Sequence, residues 1–124
     1  MARYKMLVLS RPIAGKDAEY NDWYQNTHLQ QIVALPGFVS AQRFRVAVNM
    51  RGEEGYPYMA IYDIEADDVQ AAYRILEQAA GDGTITVSQA FDYASVHASI
   101  YESFGAIVHE NATVHQDATV REEK

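Results

Sequence analysis

The sequence has no cysteine, which excludes disulfides and thiolate chemistry together. It has three prolines and one tryptophan in 124 residues, so regular elements are interrupted at few places. No apolar run approaches the roughly 18–20 residues that a membrane-spanning helix requires. The opening "MARYKMLVLSRP" lacks the length and the small-residue cleavage site of a signal peptide, and a cytoplasmic protein is expected. Positive charge is scarce: 10 Lys and Arg face 17 Asp and Glu, a net charge of −7, which argues against nucleic acid as a partner. No glycine-rich phosphate loop is present, because "GDG" at 81–83 follows a helical pattern and not a strand. No nucleophile-elbow motif occurs. His28, His97, His109 and His115 lack metal-ligand spacing; six residues of strand separate the last two by roughly 20 Å, too far for one ion. Neither a metal nor a cofactor is therefore expected.

What is present is an ordinary globular composition, 48% hydrophobic and 22% charged, of a length that suits one domain. A chain this small gains from burying further apolar surface in a dimer. Charge is unevenly spread: residues 1–51 carry seven Lys/Arg against three Asp/Glu, and residues 52–124 carry three against fourteen. Residues 3–11 read as a strand ended by Arg11-Pro12, since proline cannot donate to a ladder. Asp17 is the expected N-cap of a helix running to about Leu35, where Pro36-Gly37 stops it. From Phe38 to Val48 the pattern has period two, with Phe38, Ser40, Gln42, Phe44 and Val46 on one face and Val39, Ala41, Arg43 and Arg45 on the other. A polar loop leads to a strand over Tyr58–Glu65. Asp67 or Asp68 caps a second helix to about Ala80, whose expected stripe is Val69, Ala72, Tyr73 and Leu76. Residues 84–91 are ambiguous, and 92–103 alternate as a last strand.

The predicted order is β-α-β-β-α-β, an α+β, ferredoxin-like sandwich with two helices on one face of an antiparallel sheet. The other face carries enough apolar side chains to expect a second sheet packed on it. The domain is expected over residues 1–104. Residues 105–124 repeat weakly, with valine at 108, 114 and 120; they are expected to form an extended arm on a sheet edge or a partner chain.

The first helix, "EYNDWYQNTHLQQIVALPGF", places Tyr20, Tyr24 and His28 four apart. At 100° per residue Tyr20, Tyr24, Thr27 and Gln31 cluster on one side, with Trp23 at one edge and His28 at the other. An imidazole at such a border serves either as a structural histidine bonded to a carbonyl or tyrosine hydroxyl, or as a group in a ligand pocket, titrating near neutrality.

Trp23, Tyr24, His28, the exit Leu35-Pro36-Gly37-Phe38 and Arg43 together resemble the corresponding segment of EthD-like members of the dimeric α/β-barrel superfamily. The resemblance covers about residues 3–104. It departs at Gln30, where relatives often carry proline, and in the longer tail. It implies a homodimer whose two sheets form a barrel, with a pocket between helix and sheet for a small, largely apolar ligand. In that setting His28, Tyr24 and Tyr62 are the candidate catalytic groups. Tyr20, Trp23, Arg43 and His97 are the candidate substrate-binding groups. The leading expectation is a cofactor-independent acid–base enzyme of cyclase, dehydratase, isomerase or lyase type, acting on a small, largely apolar carbonyl or aromatic compound. The alternatives are a non-catalytic dimeric ligand-binding or stress-related protein and a haem-degrading monooxygenase-like protein. One fold hosts all of these.

Overall fold

The structure, a computed structural model, describes residues 1–52 and 55–110. Strand β1 is Ala2–Ser10. Helix α1, Asp17–Trp23, continues without a break through a π-helical turn, Tyr24–His28, into α2, Leu29–Val33. Strands β2, Phe38–Arg45, and β3, Tyr58–Ala66, are followed by helix α3, Val69–Gly81. Strand β4 is His97–Glu102. All pairings are antiparallel, in the order β2-β3-β1-β4. This is the expected ferredoxin-like arrangement.

Antiparallel register sorts the side chains. Met6, Tyr62 and Ala41 stand opposite one another on the helix-facing side, as do Val8, Ala60 and Ala98. Met6, Phe38, Ala60, Tyr62 and Ile64 form the sheet's half of the core; Tyr20, Tyr24, Leu29, Ile32, Ala72 and Ala79 supply the helical half. The outer face carries Leu7 and Leu9 beside Ile61 and Met59, with Phe44 next to Met59.

Several boundaries and faces differ from the sequence reading. Lys16, not Asp17, stands at the start of α1, and no side chain caps it; Asp17 and Glu19 instead place negative charge in the first turn, where the helix dipole favours it. Asp68 does cap α3, its carboxylate accepting from the Gln70 N–H at 2.9 Å. The register of β2 shifts between Phe38 and Ser40. This bulge inserts one residue, so Phe38 shares its face with Ala41 and Arg43, and strict alternation fails. Tyr73 is exposed, leaving Ala72 and Ala79 as the buried residues of α3. The last strand is shorter than expected because Tyr93–Ser95 form a 3₁₀ turn. Residues 84–91 are a loop, tied to the first strand's exit by Ile13 N–H donating to the Ala90 carbonyl (2.7 Å) and by a bridge between Pro12 and Phe91. Of the expected arm, residues 105–110 are exposed and 111–124 lie outside the described residues.

Gly37 makes the tight turn into β2. Its φ is +87°, and a Cβ there would lie 3.1 Å from the Glu65 carbonyl oxygen, while the Glu65 N–H donates to the Gly37 carbonyl at 2.9 Å. Left-handed backbone costs a residue with a Cβ about 1–2 kcal/mol before any clash. Gly37→Ala should therefore lower unfolding free energy by about 2 kcal/mol in urea denaturation. A variant as stable as the parent would contradict this account of the turn.

Candidate functional site

The π turn builds the site. In an α-helix, positions five apart lie about 140° apart around the axis, so Trp23 and His28 would face different ways. In the wide turn the Leu29 N–H reaches back to the Tyr24 carbonyl. The extra residue brings the indole and imidazole together, ring centres 4.6 Å apart and 27° from parallel. Tyr24 meets the same imidazole edge-on at 5.0 Å and 89°. Every later position is rotated too: the buried stripe runs Tyr20, Tyr24, Leu29, Ile32, not through Thr27 and Gln31. Gln31 serves instead as a tie, accepting from the Thr86 N–H at 3.0 Å and donating to the Thr86 hydroxyl at 3.2 Å. That tie holds the 84–91 loop beside the helix.

Between helices, sheet and loop lies an apolar cleft of about 470 Å³. Trp23, His28 and Tyr62 are in its wall, with Phe91 and Ile85 from the loop and Leu76 from α3. Four polar atoms here are buried without a hydrogen-bond partner among the described residues: Trp23 Nε1, Tyr24 OH, His28 Nδ1 and Tyr62 OH. Desolvation acts on each titratable one. Burial pushes His28 down to about 4, because it penalises the imidazolium. Burial pushes the Tyr24 hydroxyl up to about 12, against a smaller opposing influence of the neighbouring Tyr62 hydroxyl. Tyr62 is raised further, first by burial and then by the proximity of Tyr24. The two hydroxyls are close enough for each to shift the other as a hydrogen-bonding neighbour, although the pair falls short of full hydrogen-bond geometry.

The seven predicted residues divide into three groups. His28, Tyr62 and Trp23 border the cleft. Tyr24 stands behind them, and Tyr20 and Arg43 lie beyond it. Tyr20 bonds the Ser10 hydroxyl. The Arg43 guanidinium sits 4.7 Å from the centre of the Tyr24 ring and donates to Asn21 Oδ1 at 2.7 Å. Arg43 thus braces the tyrosines from the far side and does not line the cleft. His97 is paired with Leu9 on the outer sheet face, exposed and apart from the others; the register of β4 turns it away. Phe91, whose ring centre lies 5.6 Å from that of Trp23, was missed by sequence reasoning. An isolated aromatic in an irregular loop carries no periodicity to reveal it. Among the described residues no group of three or more His, Asp or Glu could hold a metal ion, and no helix is long and apolar enough to cross a membrane.

A four-stranded antiparallel sheet with its helices on one side, and an aromatic-lined cleft between the layers, define an α+β, ferredoxin-like fold. The family model described as a domain of unknown function, DUF4286, matches residues 14–102, and the chain belongs to that family. Solved structures share the fold. A protein of Shewanella loihica PV-4 named as a candidate monooxygenase is 15% identical, with 85% of this chain and 97% of that one covered at a TM-score of 0.56. A dimeric ferredoxin-like protein of unknown function from Jannaschia sp. CCS1 is 14% identical, with 82% and 99% covered at 0.54. An EthD-like protein from Ralstonia eutropha JMP134 is 12% identical, with 82% and 92% covered at 0.53. At these identities the likeness is one of fold. No curated protein matches the chain.

The depressed pKa of His28 has a consequence for stability. Unfolded, the imidazole titrates near about 6.5, so between about 6.5 and about 4 the unfolded chain binds more protons. The contribution is fully present above the unfolded value and is lost as pH falls to the folded one. At 1.36 kcal/mol per unit it amounts to at most about 3 kcal/mol. Wild type should lose about that much more stability than His28→Gln between pH 7 and pH 4 in denaturant titrations. Parallel curves would mean that His28 is solvated or paired.

Proposed function

We propose that the cleft binds a small, largely apolar carbonyl compound and moves a proton on it by acid–base chemistry, as a cyclase, dehydratase, isomerase or lyase does. The observation that carries this reading is the set of four buried, unpartnered polar atoms around one apolar cleft. Buried polar groups are ordinarily paired, and each exception calls for an explanation. Trp23 Nε1 can only donate, and a neutral tyrosine hydroxyl donates readily, so the partner that suits them is an acceptor oxygen. His28 is the group to take the proton. Desolvation disfavours its protonation; negative charge developing on a ligand oxygen beside it reverses that balance. Tyr62, too strongly raised to ionise at neutral pH, serves as a hydrogen-bond donor to that oxygen. Tyr24 orients the imidazole from behind.

Two variants test the pair. Solvent-deuterium exchange at the carbon next to the carbonyl of acetophenone, followed by NMR, should be accelerated by the protein. His28→Gln should reduce that rate by about 10²–10⁴-fold, the usual contribution of a general acid–base group. Equal rates in parent and variant would remove His28 from the chemistry. Tyr62→Phe deletes a buried hydroxyl that lacks a partner, a group costing on the order of 1–3 kcal/mol. It should raise the melting temperature while slowing exchange. A destabilised Tyr62→Phe would show that the hydroxyl has a structural partner.

The functional unit in this reading is a homodimer joined sheet on sheet. Leu7, Leu9, Met59 and Ile61 run along the outer face, and Phe44 beside them is 38% exposed in the single chain. A lone sheet with such a face gains by covering it. Light scattering at micromolar concentration should give about twice 13.9 kDa. A monomer would contradict the paired-sheet arrangement.

A further inference from the structure

Beyond the cleft at His28 the groove does not stop. A second compartment of about 620 Å³ lies against the N-terminal half of α3, bordered by Val69, Gln70 and Tyr73 and by Tyr4, Ile100 and Glu102 of the sheet. Met6, Leu76 and Ala98 belong to the walls of both compartments. These three sit at successive points of the same path: Met6 between Tyr4 and Val8 on β1, Leu76 between Tyr73 and Ala80 on α3, and Ala98 between Val96 and Ile100 near β4. The two spaces therefore adjoin along the groove between α3 and the β1–β4 pair, with those three residues as the waist that separates them. Along α3, from Val69 to Ala80, it spans about 17 Å at 1.5 Å per residue.

Chemistry changes along the groove. At the His28 end the walls are aromatic and aliphatic, with the unpartnered donors. Past the waist, Val69 and Ile100 remain apolar, and Gln70, Tyr73 and Glu102 bring polar groups to the far end. A compact ligand would fill the first compartment and leave the second to water. Each compartment alone falls within the usual range of ligand sites, roughly 300–1,000 Å³.

We infer that the ligand is elongated: a carbonyl-bearing head lies at His28 and Tyr62, and an apolar chain passes the waist to lie between Tyr73 and Ile100. This rests on the proposed use of the His28 cleft and specifies its substrate class. Residues of the second compartment then set specificity for chain length without touching the reacting atoms. Each methylene buried beyond the waist tightens binding by about fourfold.

Trp23 is the only tryptophan and stands in the wall of the first compartment, so its fluorescence reports occupancy directly. Titration with linear alkyl phenyl ketones, from acetophenone to decanophenone, should show affinity rising steeply with chain length until the groove is filled. Ile100→Trp, which narrows the second compartment beside the waist, should flatten the rise. Tyr73→Ala, a substitution at an exposed helix position that does not threaten folding, should weaken the longest ketones several-fold. Both variants should bind acetophenone within twofold of wild type. Acetophenone binding with no dependence on chain length would overturn the elongated ligand and leave the acid–base reading standing. No fluorescence response to any ketone would overturn both. A length dependence that appears only after truncation at Ser103 would assign the second compartment to the chain's own following segment, and would also overturn the proposal.

Discussion

One residue more than an α-turn holds separates Tyr24 from Leu29, and the rest of the structure is arranged around that surplus. The π turn stacks Trp23 on His28, rotates Leu29 and Ile32 into the core, and turns Gln31 toward Thr86, where it fixes the loop that closes one side of the cleft. A π turn gives up regular i to i−4 bonding and persists where the surroundings hold it. Here the Gln30 side chain donates to the Gln25 carbonyl at 3.1 Å, giving one carbonyl of the wide turn a donor. On the opposite strand, the bulge at Phe38/Ser40 does the matching work: it turns Arg43 toward the helix, beneath Tyr24. Two irregularities, one in each layer, therefore position the same ring from its two sides.

The energetic character of the site follows from the burial of its polar atoms. Elsewhere polar groups in this core are satisfied, as with Ser10 and Tyr20 or Asn21 and Arg43. Around the cleft they are not, and among the described residues the departure is confined to those touching or backing one space. A core optimised for stability would carry phenylalanine or leucine at such positions, since a half-satisfied polar network is worse than an apolar one. Retaining an indole N–H, two phenols and the imidazole Nδ1 without partners costs stability, which in the proposed reading a bound molecule returns. Such a trade is the usual mark of a working site.

Much of the architecture is legible in the sequence because it rests on period and punctuation. Alternation through Tyr58–Glu65, the Pro36-Gly37 exit and the Asp68 cap each express a local rule, and the order of elements follows from them. What is not legible depends on irregularity. A π turn leaves no mark in a helical pattern, so a strict 100° wheel puts Trp23 and His28 at opposite edges and buries Thr27. A bulge likewise defeats strict alternation in β2 and hides that Arg43 faces the tyrosines. The resemblance carried by Trp23, Tyr24, His28 and Arg43 marks the segment of interest. It does not distinguish the residues that border the cleft from those that brace it, and it gives no hint of Phe91. His97 shares a polar face with its neighbours on β4, but the pairing of β4 with β1, a long-range fact, places that face outside.

The account depends on the burial of the His28 ring, whose Nδ1 has no partner among the described residues. Its ring can be followed directly by NMR, with histidine labelled at the ring nitrogens and His28→Gln used to assign its signals among the four histidines. The account predicts that the ring stays neutral through pH 5 and titrates near about 4, well below the ordinary imidazole value of about 6.5. An imidazole at position 28 that titrates at or above the ordinary value would mean that water or a hidden partner satisfies it, and would contradict the buried, unpartnered Nδ1 on which the proposed chemistry rests.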